Sequence, residues 1–92
     1  MSEHRRTVTI VNQRGLHARA SAKFVSAVSD LPDGCAVTVA KDGSEAAGGS
    51  ILGLMMLGAA KGDTIEIIVG GAGDETVLNG LCQLVENGFG EE

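Results

Sequence analysis

His17 and Arg19 stand two positions apart, just where a β-branched run gives way to an alanine-rich one. The run Thr7–Val11 has strand character, Gly15 interrupts it, and the residues from Ala18 to about Ser29 predict a helix with Phe24, Val25 and Val28 on one face, continued by Leu31. Both side chains therefore fall at a helix N-terminus. Backbone N–H groups there lack intrahelical partners, and the helix dipole is positive, so the position suits a phosphate. Imidazole titrates near neutrality and offers a neutral nucleophilic nitrogen, so a histidine there can carry a phosphoryl group as well as bind one. A lone histidine in such a place is ordinarily a cap or a plain surface residue, and the surrounding pattern has to decide.

Ser50 is the second candidate. It follows Gly48-Gly49 and precedes Ile51-Leu52-Gly53-Leu54-Met55-Met56-Leu57, with Gly58 beyond. That order predicts a short helix capped by Ser50 and closed by Gly58. The segment carries more apolar side chains than one face of a short helix buries. Leu54 and Leu57 belong to the core, which leaves Leu52, Met55 and Met56 for the surface, where Met and Leu make an adaptable contact patch.

The elements that must position these residues follow from the punctuation. Asp30-Leu31-Pro32-Asp33-Gly34 ends the first helix, Cys35–Ala40 is a second strand, Lys41-Asp42-Gly43-Ser44 has hairpin chemistry, and Glu45–Ala47 is a short third strand. Thr64–Val69 is the fourth strand. Asp74 caps a last helix whose apolar face is Val77, Leu78, Leu81, Cys82, Val85 and Phe89. The order βαββαβα predicts an α+β fold over residues 1–92 as one domain: a mainly antiparallel four-stranded sheet with three helices on one face.

Composition removes several function classes. Phe24 and Phe89 are the only aromatic residues of the 92, too few for a base-stacking surface, and the net charge of −5 opposes nucleic acid and anionic membranes alike. Five of the seven basic residues (Arg5, Arg6, Arg14, Arg19, Lys23) nevertheless lie in the first 23 positions, which predicts an electropositive patch around His17. No apolar run approaches the ~20 residues of a membrane span, and the first residues lack the apolar core of a signal peptide. Cys35 and Cys82 have no ligand-like spacing and read as buried free thiols. His4 lies in a polar stretch. No metal site is expected from His4, His17, Cys35 and Cys82, because no two of them form a local ligand pair.

The stretch Gly15-Leu16-His17-Ala18-Arg19-Ala20-Ser21-Ala22-Lys23-Phe24-Val25 resembles the active-site signature of the HPr family, the histidine-containing phosphocarriers of the phosphoenolpyruvate-dependent phosphotransferase system. The stretch Ser50–Gly58 is similar to that family's regulatory-serine segment, and the element order matches its open-faced β-sandwich. The resemblance implies that His17 accepts a phosphoryl group on Nδ1 from phosphorylated enzyme I and passes it to an enzyme IIA-type protein. Arg19 and the backbone N–H groups of Ala18 and Arg19 would hold the phosphoryl oxygens. It further implies phosphorylation of Ser50 by an HPr kinase/phosphorylase, and contact of Leu16, Ile51, Leu52, Met55 and Met56 with the partners. The expected protein is a cytoplasmic monomer without cofactor, a co-substrate in a relay such as sugar transport rather than an enzyme with its own pocket. Many family members carry proline where this chain has Ala20, a variant resembling some proteobacterial and nitrogen-related regulatory members. Two competing readings stay open at this point: a regulatory binding module controlled by its phosphorylation state, and a small α+β ligand-binding domain.

Overall fold

A computed structural model describes residues 3–91. Its elements run β1 (His4–Thr9), α1 (Ala18–Ser29), β2 (Cys35–Lys41), β3 (Ser44–Ala47), α2 (Ile51–Met56), β4 (Thr64–Gly71) and α3 (Glu75–Glu86), with a 3₁₀ turn at Gly88–Gly90. The strands form one sheet in the order β1-β4-β2-β3, and every neighbouring pair is antiparallel. Asp42 and Gly43, both at positive φ, make the two-residue turn between the paired Lys41 and Ser44.

Strand periodicity sets the layers. In β4, Ile65, Ile67 and Val69 point to the helical side and are buried there with Val8, Val37 and Val39. Phe24 of α1 and Leu78, Leu81, Cys82 and Val85 of α3 close over them. The opposite face of the sheet is open. Ile68 is its buried exception, flanked by its cross-strand partners Arg5 and Thr38.

Several boundaries differ from those the sequence predicts, most of all at β1 and α3, while β2, β3 and β4 each run one or two residues longer. β1 starts at His4 and ends at Thr9, because His4, Arg5 and Arg6 pair with Val69, Ile68 and Ile67 of a β4 that runs on to Gly71. An edge strand tolerates such charges, and pairing outweighs local propensity. Ile10, just past β1, stays tied to the Gly62-Asp63 turn by two backbone bonds of 2.8 Å, whereas Val11 is exposed. Finally, α3 stops at Glu86. Phe89 reaches the core from the turn beyond it, in a left-handed conformation (φ 57°) between Gly88 and Gly90, both also at positive φ.

Both cysteines are free thiols. Cys82 is fully buried, and burial pushes its thiol up against a partial offset from Arg6; Cys35, at the start of β2, is only half-buried. Among the described residues, no helix is long and apolar enough to cross a membrane.

Candidate functional site

The loop between β1 and α1 is held from two sides before it delivers His17. The buried Asn12 side chain donates through Nδ2 to the Gly15 carbonyl at 2.8 Å. Gly15 (φ 63°) then passes so close to the segment after α2 that a Cβ would lie 2.2 Å from the Ala59 carbonyl oxygen. The next N–H, of Leu16, donates to that same oxygen at 3.0 Å. Glycine is required by both the conformation and the approach.

His17 is itself the N-cap of α1. Its backbone is extended, its carbonyl accepts from Ser21 N–H at 2.9 Å, and its Nδ1 accepts from Arg19 N–H at 3.3 Å. Nδ1 therefore carries the lone pair, and the ring proton of neutral His17 sits on Nε2. That nitrogen donates to Glu91 Oε2 at 2.7 Å, with both side chains about four-fifths buried (20% exposed). The partners assign the tautomer.

Glu91 is fixed in turn. Asn12 Nδ2, besides holding Gly15, donates to Glu91 Oε1 at 3.1 Å. Lys23 Nζ donates to the Phe89 carbonyl at 2.8 Å and ties the Gly88–Gly90 turn to α1. Partial burial pushes the Glu91 carboxyl up, but the Asn12 amide, the hydrogen bond and charge of His17, and the Lys23 charge outweigh it. Glu91 lies below the ordinary glutamate value.

Ala18 and Arg19 are exposed, and the Arg19 guanidinium makes no hydrogen bond or ion pair among the described residues. Ala20 is buried, and unlike a proline it keeps an amide N–H in the first turn of α1. The basic patch is smaller than the sequence predicts. Arg5 is engaged by Glu3 and Glu66, and Arg6 by Asn79, which leaves Arg14, Arg19 and the Lys23 already tied to the Phe89 carbonyl.

Ser50 caps α2 through Oγ, which accepts from Gly53 N–H at 3.0 Å. α2 packs beside α1. Ile51, Leu52, Met55 and Met56 are exposed, Leu52 and Met56 most of all at 68% and 77%, while Leu54 and Leu57 are buried. Leu16, expected on the contact surface, is instead 5% exposed and part of the core, because its N–H bond to Ala59 turns the side chain inward. The sequence pattern gives no sign of a role for Glu91 or Asn12, and it offers Lys23 only as part of the basic patch. The bracketing of Phe89 by two glycines was the available sign that the chain turns back there.

A family model described as the PTS HPr component phosphorylation site matches residues 4–87. The chain belongs to the HPr family. The HPr phosphocarrier of Neisseria meningitidis serogroup A is 42% identical over 87 residues, covering 95% of this chain and 96% of the relative. A phosphocarrier protein named NPr from Shewanella violacea is 35% identical over 91 residues, covering 99% and 98%. Among solved structures, HPr from Thermoanaerobacter tengcongensis superposes with a TM-score of 0.80 at 36% identity, covering 100% of this chain and 99% of the other. The chain is thus an HPr-type phosphocarrier of the phosphotransferase system, folded as the family's open-faced sandwich.

Proposed function

We propose that His17 accepts a phosphoryl group on Nδ1 from phosphorylated enzyme I and hands it to a histidine of an enzyme IIA-type protein. The observation that carries this reading is the Nδ1 lone pair held at the open N-terminus of α1, 3.3 Å from the Arg19 amide. That contact is long, so a small ring rotation frees Nδ1 to attack. The Arg19 N–H and the neighbouring Ala18 N–H then become donors to the phosphoryl oxygens, and the unengaged Arg19 guanidinium adds charge-assisted bonds. In-line transfer between two histidines needs positioning and charge neutralisation above all, and no cofactor is required of this chain.

The exposed Ile51, Leu52, Met55 and Met56 would form the docking surface beside α1. Ser50 is the proposed regulatory position. A phosphate there would add about 1.5–2 negative charges next to that surface and disfavour docking, after modification by an HPr kinase/phosphorylase. The carrier would act as a monomer in the cytoplasm. Ala20, with the likeness to a protein named NPr, favours a second reading in which the relay regulates other proteins rather than feeding sugar transport.

Incubation with phosphoenolpyruvate, enzyme I and Mg²⁺ should give an acid-labile phosphoryl adduct by intact mass, absent from His17→Ala. An adduct that persists in His17→Ala would refute the assignment. Treatment with kinase and ATP should give an acid-stable adduct lost in Ser50→Ala.

A further inference from the structure

We infer that Glu91 is a positioning residue for phosphoryl acceptance: its carboxylate holds the His17 proton on Nε2, leaves the lone pair on Nδ1 at the start of α1 as the nucleophile, and neutralises the charge the ring gains on transfer. This rests on the phosphocarrier reading and adds to it a residue 74 positions away in sequence.

The contact is built, not incidental. Glu91 is the end of a chain of restraints: Phe89 is buried at 1% exposure, its carbonyl is held by Lys23, and the successive positive φ angles of Gly88, Phe89 and Gly90 bend the backbone toward α1. Both carboxylate oxygens are engaged, Oε2 by His17 and Oε1 by Asn12. The Asn12 amide has one workable orientation, because both of its partners, Gly15 carbonyl and Glu91 Oε1, are acceptors. Its Oδ1 is left buried with no protein partner. Such a group is costly in a folded protein, and here it accompanies the fixing of Glu91.

The chemistry follows from the proton's place. Neutral His17 attacks phosphorus through the Nδ1 lone pair. The bond between phosphorus and the donor's imidazole nitrogen breaks, its electron pair returning to that nitrogen, so a donor phospho-imidazolium leaves as neutral imidazole. His17 becomes a phospho-imidazolium that still bears its proton on Nε2, so no proton has to move. The positive charge developing on the ring faces the Glu91 carboxylate across a bond already formed, which lowers the barrier. The same bond occupies Nε2 and so directs attack to Nδ1. A carboxylate behind a reacting imidazole serves the hydrolytic triads in this way.

The test uses the full chain with Glu91→Gln and Glu91→Ala. In the unphosphorylated protein, imidazole ¹⁵N shifts should report the Nε2–H tautomer for wild type and a mixture of tautomers for Glu91→Ala. In single-turnover transfer from phosphorylated enzyme I, Glu91→Ala should lose about tenfold in rate with little change in the concentration for half-saturation. Glu91→Gln, which keeps an acceptor but no charge, should fall between. Wild-type tautomer and wild-type rate in Glu91→Ala would overturn the role of Glu91 while leaving the relay intact. Failure of the wild-type chain itself to take up phosphate would instead remove the relay, and with it this step.

Discussion

At Gly15 a single missing carbon lets two distant segments touch. Gly15→Ala would combine a disfavoured positive φ with a Cβ 2.2 Å from backbone oxygen, so a backbone shift is unavoidable. A loss of about 2 kcal/mol or more is expected in urea unfolding, with slower phosphoryl acceptance because His17 moves with its loop. Arg19 shows the opposite case, a side chain with nothing structural to lose. Arg19→Gln should leave the urea midpoint nearly unchanged yet cut the transfer rate about tenfold or more, since a charge-assisted hydrogen bond is worth about 1.5–3 kcal/mol. A rate equal to wild type would exclude Arg19 as a phosphoryl ligand.

Among the elements, the short helix α2 depends most on its cap. It has only six residues, too few to persist in isolation, and Ser50 satisfies one of its free N–H groups. Ser50→Ala should cost about 1 kcal/mol. Ser50→Asp should recover most of that in urea unfolding, because aspartate caps as well. If the aspartate variant nonetheless slows transfer from enzyme I, the charge is responsible and not the fold. Such caps are readable in sequence, because Ser50 and Asp74 act on N–H groups three residues away. The apolar faces of α1 and α3, the β2–β3 turn and the exposure of Leu52 and Met56 follow from equally local rules. The start of β1 does not: His4-Arg5-Arg6 has no strand signal, and β4 alone makes it a strand. The burial of Leu16 is hidden from the sequence for a related reason, its direction being set by Ala59 rather than by its neighbours in sequence. Glu91 was the least readable of all, since its contact depends on a buried phenylalanine in a conformation that sequence pattern assigns to glycine or asparagine.

For the molecule as a whole, Glu91 ties stability to pH. Its carboxyl ionises below the ordinary value of 4.5 in the folded state, so the ionised form favours folding. That contribution is complete above the unfolded value and disappears as pH falls through the lower folded one. The difference in unfolding free energy between wild type and Glu91→Gln should therefore be steady at neutral pH and shrink as the solution is acidified below about 4.5. A difference that grows on acidification would contradict the lowered value.

The sheet order places the first strand against the last, and His17 meets a residue 74 positions downstream. A chain emerging from the ribosome as far as α2 already contains His17 and the whole of α1, yet it lacks both the partner that makes β1 a strand and the carboxylate behind the imidazole. Closing so long a loop is slow, and its entropy is offset only when the final elements dock. The complete phosphoryl-acceptor arrangement is thus among the last things this chain acquires, and the partially folded forms that precede it do not have it.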